Sequence, residues 1–296
     1  MRITNRMLAE NAMRNTSANL QAMSVSQNQI GSGKKLSKPS DDPAQVLSAI
    51  EATDGLAQIS QYLRNIGVAQ QQTSAADAAL SDAANVVQRA RELAVEGGTG
   101  TLSDADRQAI AAEVDQLTAQ LVSDAATKVG DSYIFNGFQS QTAPYVYTPA
   151  SGTTAGVVSG APDTSAVMAR VGPGVQVQVN TSAADAFRPA LDALTQLYSD
   201  LESGGTVAGT TLDALDGALD AVTQARAVVG ARTNRLDQTQ TNLQAQQLAV
   251  TKLLSDTEDV DMASAISLFQ QQQLTYNAAL QVSGKILQTS LIDVLK

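Results

Sequence analysis

Two groups of carboxylates are the residues best placed to do chemistry. Asp256, Glu258, Asp259 and Asp261 crowd one segment near the C-terminal end, and Asp41 and Asp42 follow a turn near the other. Paired carboxylates can serve as acid and base or hold a hard cation. The first group resembles half of a calcium loop but lacks the central Gly and the closing Glu at the required spacing. Asp41 and Asp42 stand just before Pro43 and read as a helix start, with Ser40 as its N-cap and the acids at the positive end of the dipole. Gly97-Gly-Thr-Gly100 and Gly172-Pro-Gly174 carry no Gly-Lys-Ser/Thr sequence, so turns are expected there rather than phosphate loops. Asn180-Thr-Ser182 fits the short glycan-acceptor pattern. The chain has no His, no Cys and no Trp. A Ser–His–Asp triad, a His-ligated metal, a Cys nucleophile and a disulfide framework are all excluded. We expect no catalytic, cofactor-binding or metal residues, and a protein that is not an enzyme.

With chemistry set aside, the informative stretches are two helices nearly free of charge. From Met262 to Gly284 there is no Asp, Glu, Lys or Arg, and from Asn15 to Gly33 there is again none. An ordinary amphipathic helix turns a charged face to water. These helices offer amides and hydroxyls instead, which suits packing on several sides among many copies. The expected contacts on the first are Met13, Leu20, Met23 and Ile30. On the second they are Ile266, Phe269, Tyr276, Leu280, Leu287, Leu291 and Leu295.

The 296 residues carry a net charge of −10. Lys34, Lys35 and Lys38 form the one local basic cluster, so nucleic acid is not an expected partner. No apolar run approaches the length of a membrane span, and no apolar signal-peptide core follows Arg2. Secretion, if it occurs, is expected to proceed without a cleaved signal. Ala, Leu and Val supply most of the apolar content and aromatics only 3%, a composition for close-packed helices.

Taken in order, the heptad stripe Met13, Thr16, Leu20, Met23, Gln27, Ile30 ends at Gly31-Ser-Gly33. Pro43 to about Glu96 reads as one helix roughly 80 Å long, with Leu47, Ile50, Ile59, Leu63, Ile66, Leu80 and Val87 on its apolar side. A second helix starts near Ser103, with Asp106 completing a capping box, and is expected to close at Gly130-Asp131. Asn136-Gly137 reads as a hairpin turn, and short strands are expected over Pro144–Thr148, Ala166–Val171 and Val175–Val179. Helices resume at Arg188 with Leu191, Leu194, Leu197 and Leu201, and again from about Thr211 to Leu254. A turn over Ser255–Asp261 leads to the last helix, where Ile266, Gln273, Leu280, Leu287 and Phe269, Tyr276, Ser283, Ser290 form two heptad lines. The expected fold is mainly α: a long antiparallel helical rod with paired terminal helices and a small β-rich insertion. Residues 1–40 and 256–296 make the terminal coiled coil, 41–135 and 185–255 the rod, and 136–184 the insertion.

Several segments together resemble the bacterial flagellin superfamily. Ile30 to Ala44 is similar to its Gly/basic segment that ends in Asp-Asp-x-Ala, and Val87-Gln-Arg-Ala-Arg-Glu-Leu-Ala94 to its "QR-x-REL" helix. Asp131-Ser-Tyr-Ile-Phe-Asn-Gly137 resembles the segment ahead of its variable region, and Asp259-Val-Asp-Met-Ala263 its entry to the last helix. The opening Met1-Arg-Ile-Thr and the ending Ser290-Leu-Ile-Asp-Val-Leu295 look more like the hook–filament junction branch than like filament flagellins.

The resemblance implies a structural adaptor of the flagellum, exported by the flagellar type III system and located outside the cell at the hook–filament junction. It implies a homo-oligomeric ring with the terminal helices as inner tube, an adjacent hook-associated protein and flagellin as neighbours, and an export chaperone on the C-terminal helix. In flagellins an innate immune receptor reads the helix that Gln88, Arg89, Glu92 and Leu93 match here. Two other readings stay open: a minor flagellin of the filament itself, and a ligand-binding or enzymatic module on the insertion.

Overall fold

The computed structural model describes residues 5–36, 38–99, 102–151, 155–203 and 207–294, with backbone alone at 5, 6, 8, 9 and 286–294. In chain order the elements are α1 (Asn5–Ser32), α2 (Pro43–Gly97), α3 (Asp104–Ala125), β1 (Lys128–Val129), β2 (Ser132–Tyr133), β3 (Val146–Thr148), β4 (Val157–Ser159), β5 (Met168–Gly172), β6 (Val175–Gln178), α4 (Ala183–Ala186), α5 (Arg188–Glu202), α6 (Gly209–Glu258) and α7 (Met262–Val294). The fold is mainly α, as expected. The chain divides into two compact units, Met1–Gln58 with Gln246–Lys296, and Ile59–Ala245.

The Ile59–Ala245 unit holds a continuous apolar core. In α2 it takes Ala76, Ala79, Leu80, Ala83, Val86, Val87, Ala90, Leu93 and Ala94, all buried and spaced by threes and fours. Such alanines let neighbouring helices approach closely. Val114 and Leu121 of α3, Leu191, Leu194, Leu197 and Leu201 of α5, and Leu215 and Val222 of α6 fill the opposite side. Each such Leu contributes roughly 1.5–3 kcal/mol by leaving water. Phe135 and Phe187 meet edge to face with centroids 4.9 Å apart at the centre. Antiparallel pairing of α2 and α6 within this unit is marked by Arg226–Asp77 at 2.8 Å, Arg91–Asp216 at 2.5 Å and Gln70 to Asp237 at 2.7 Å. These exposed pairs set register and contribute little energy.

The insertion forms two separate two-stranded antiparallel sheets, β3–β4 and β5–β6, and a third such pair, β1–β2, precedes it. Tyr147 faces inward and donates its hydroxyl proton to the buried Asp115 carboxylate, which also accepts from the Ala150 N–H at 3.0 Å. Burial and that carboxylate push the Tyr147 hydroxyl pKa up. Arg232 of α6 donates to the Asn180 carbonyl at 2.6 Å, and burial holds its pKa down.

Ser103 and Asp106 form the capping box of α3. Ser40 is not the cap of α2: Asp42 is, its Oδ1 accepting from the Ala44 and Gln45 N–H groups at 3.1 Å. Pro43 follows as the first helical residue, where its missing N–H is harmless. The third helix ends at Ala125, and Gly130-Asp131 is instead the turn of the β1–β2 hairpin. Asn136-Gly137 does not turn a hairpin. The Asn136 side chain is buried and donates to the Gln139 and Thr142 carbonyls, so it organises a loop. β4 was not foreseen; it pairs with β3, Tyr147 opposite Val158. The acidic turn is shorter than expected, because α6 continues to Glu258.

Candidate assembly interface

In the Met1–Gln58 and Gln246–Lys296 unit, α1 and α7 pack antiparallel. Gly33 (φ 73°) ends α1 in a conformation that favours glycine. Its carbonyl accepts from the Val260 N–H at 2.9 Å, the Lys35 N–H donates to the Glu258 carbonyl at 2.7 Å, and Lys34 Nζ meets Glu258 Oε1 at 2.7 Å. Lys35 Nζ donates to the Asp256 carbonyl at 2.6 Å. Lys34 and Lys35 thus sit on the carbonyl end of α6, where the helix dipole favours cations. Further along the pair, Thr16 Oγ1 lies 3.4 Å from Ser283 Oγ.

Glu258, Asp259 and Asp261 of the C-terminal acidic group have structural partners. Glu258 is in the ion pair just given, and Asp259 accepts from Ser255 Oγ at 2.5 Å. Asp261 caps α7 through the Ala263 N–H at 3.0 Å, and the Ser264 hydroxyl and backbone bonds hold its pKa down. No group of metal-ligating residues occurs among the described residues. Asn180 is buried with its amide donating to the Ser165 carbonyl, which removes it as a glycan acceptor.

Of the expected contact residues, Phe269 and Tyr276 are half-buried on the heptad line that contains Ser283, the line turned toward α1, and Met23 and Ile30 are half-buried on α1. Ile266 and Leu280 (45% exposed) lie in water, as do Met13 and Leu20. The structure therefore brings together one α7 line and leaves the other uncovered. Leu287 and Leu291 lie in α7 with side chains outside the described residues, and Leu295 lies outside them altogether. Also exposed are Val25, Leu268, Leu274 (71% exposed) and Val282, Leu248 and Leu253 on α6, and Leu47 and Ile50, which the spacing placed on the apolar side of α2. Their signal was present in the sequence: α7 carries apolar residues on all sides, the mark of a helix surrounded by protein. Among the described residues of this unit, the buried ones are all small: Ser26, Ala49, Ala52 and Ala265. A cleft of about 290 Å³ lined by Leu36, Pro39, Val46, Ala49, Ile50 and Thr53, with Lys38, Asp54 and Glu258 on its wall, adds a concave surface of mixed polarity.

Charge is distributed unevenly. This unit has 9 Lys and Arg against 10 Asp and Glu, a net charge of −1, while Ile59–Ala245 has 10 against 19, a net charge of −9. The uncovered apolar faces thus belong to the part of the chain with least self-repulsion.

The family model for the bacterial flagellin N-terminal helical region matches residues 3–140, and that for the C-terminal helical region matches 212–295. The chain belongs to the bacterial flagellin family. Its relatives in that family include flagellar hook-associated protein 3 of Escherichia coli, 28% identical over the whole of both chains. Flagellin of Bacillus subtilis is 27% identical, with 94% of each chain covered. The solved flagellar junction protein FlgL of Legionella pneumophila superposes with a TM-score of 0.58 at 16% identity, over 72% of this chain and 100% of that one, a likeness of fold. On the helix that resembles the flagellin receptor site, Leu93 is buried in the core, so only Gln88, Arg89 and Glu92 reach the surface. No helix among the described residues is long and apolar enough to cross a membrane.

Proposed function

We propose that this flagellin-family chain is a structural, non-enzymatic subunit of the bacterial flagellum that joins the hook to the flagellin filament. The observation that carries this reading is the match to flagellar hook-associated protein 3 from end to end. The physical support is the terminal unit, where Met13, Leu20, Val25, Ile266, Leu268, Leu274, Leu280 and Val282 stay in water in the single chain. The mechanism is mechanical. Copies assemble as a homo-oligomeric ring through α1 and α7, which make the inner tube from Met13, Leu20, Met23, Ile30, Ile266, Phe269, Tyr276, Leu280, Leu287, Leu291 and Leu295. An adjacent hook-associated protein and flagellin are the neighbours on either side. The three-part division into terminal coiled coil (1–40, 256–296), helical part (41–135, 185–255) and insertion (136–184) belongs to this reading.

The protein acts outside the cell after flagellar type III export. A cytoplasmic chaperone covers the C-terminal helix beforehand, since each exposed Leu or Ile there is worth roughly 1.5–3 kcal/mol on burial and would otherwise self-associate.

Ile266→Glu with Leu280→Glu tests the reading. Both residues are exposed in the single chain, so circular dichroism should be unchanged while filament attachment is lost in a strain dependent on the variant. Normal attachment would sink the assembly role of these helices. The second reading, a filament flagellin, is favoured by the full-length likeness to flagellin. Purified chain seeded on filament fragments separates the two: indefinite growth would establish the filament role and remove the junction one.

A further inference from the structure

The seam between α1 and α7 does not encode its own register. Inward positions on α1 fall on two heptad lines, Thr16, Met23, Ile30 and Asn19, Ser26. Those on α7 do the same, as Phe269, Tyr276, Ser283 and Ala265, Gln272, Ala279. Sliding one helix past the other by one heptad, roughly 10 Å, lays heptad position on heptad position again. Flanking charges ordinarily forbid such slips, but none occurs from Asn15 to Gly33 or from Met262 to Gly284. The fully buried residues of the seam, Ser26 and Ala265, are too small to lock it. Gln272 Oε1 is buried without a partner among the described residues, so it costs stability without choosing a mate.

Position-specific bonds lie at one end instead. Lys34 pairs with Asp259 in an isolated antiparallel bridge. On either side of it the Val260 N–H donates to the Gly33 carbonyl and the Lys35 N–H to the Glu258 carbonyl. Gln29 Nε2 donates to the Lys35 carbonyl at 3.1 Å, which ties the bridge to the last turns of α1. The Lys34 ammonium on Glu258 adds a contact specific in charge. Little chain separates this clamp from the helices it joins: α1 ends at Ser32 and α7 starts at Met262. The left-handed backbone at Gly33 (φ 73°) makes glycine a requirement there.

We propose that Gly33, Lys34 and Glu258 are positioning residues that set the register of α1 on α7. The clamp then presents Met13 and Leu20 at one fixed offset from Ile266 and Leu280. Identical copies can repeat a contact only if each offers the same surface, and a slipped pair would not. That consequence rests on the multi-copy reading above.

The test uses two cysteine reporters in the full-length chain, which has no cysteine of its own. In one, Ser283→Cys can bond to Thr16→Cys, whose oxygens are now 3.4 Å apart, or to Met23→Cys, one heptad off. In the other, Thr16→Cys can bond to Ser283→Cys or to Tyr276→Cys, one heptad off in the opposite direction. Oxidation of dilute chain and peptide mapping of the monomer give the ratio of native to slipped bond. The parent should favour the native bond in both. Gly33→Val places a β-branched residue in the left-handed region and should lower the ratio by about tenfold in at least one reporter. Gly31→Val, within α1, should leave it unchanged. Lys34→Glu should lower the ratio, and Glu258→Lys added to it should restore it. No native preference in the parent, a ratio unmoved by Gly33→Val and Lys34→Glu, or no recovery in the charge swap would overturn the proposal. If the ratio does not move while the Ile266→Glu, Leu280→Glu chain is excluded from flagella, the clamp fails alone. Normal incorporation of that chain means the terminal-helix reading fails instead.

Discussion

Asp124 sits in the last turn of α3, half-buried, with its Oδ2 buried and unbonded among the described residues. Burial first, and the charge of Asp82 second, raise its pKa from 3.8 to about 6. Its position at the negative end of a helix adds to the strain of carrying charge. A carboxyl with a raised folded pKa opposes folding where it must ionise. The penalty is absent below about pH 4, where both states are protonated, grows between pH 4 and 6, and is full above 6. Asp124→Asn should therefore stabilise the chain at pH 8 by about 1 kcal/mol, after discounting for solvent screening of a half-exposed group. Urea unfolding at pH 8 and pH 4 checks this, with the gain vanishing at the lower pH.

At the scale of elements, the helix ends carry local chemistry whose effect can be isolated. Ser103 and Asp106 satisfy each other's backbone N–H at the start of α3. Ser103→Ala should lower the unfolding free energy by about 1 kcal/mol, read as a lower urea midpoint at unchanged slope. Asp42 and Ser40 illustrate how far such signals can be read from residues alone. Both are good caps, and Pro43 fits either choice, but only the loop path decided that Asp42 reaches Ala44 and Gln45. Asn136-Gly137 carries a similar lesson. Its hairpin pattern is local, whereas its role as a loop organiser depends on Asp163, distant in sequence.

At the scale of the whole molecule, large buried side chains among the described residues are confined to one unit. Leu80, Leu121, Phe135, Phe187, Leu194 and Leu215 are fully buried, all within Ile59–Ala245. Hydrogen-bonded helices without such a core open easily. Amides of α1 and α7 should exchange within seconds in the isolated chain, while those of α2 from Ala76 to Ala94 and of α5 stay protected. Exchange mass spectrometry would show this, and slow exchange in assembled flagella would report the covering of the terminal helices. Equal protection of all helices in the isolated chain would contradict it.

The helices, their breakers, the Gly/Ser/Thr-rich insertion and the missing charges on α1 and α7 were legible in the residues, because periodicity and composition are local properties. Leu191, Leu194, Leu197 and Leu201 declared a buried face by spacing alone, and it is buried. Tertiary structure decided what depends on distant partners. It chose which heptad line of α7 turns to α1, leaving Ile266 and Leu280 in water while Phe269 and Tyr276 are half-covered. It paired β3 with β4, and it fixed Phe138 outward on a loop held by Asp163. A helix with apolar residues on every side has no inward face of its own; register with another segment supplies one.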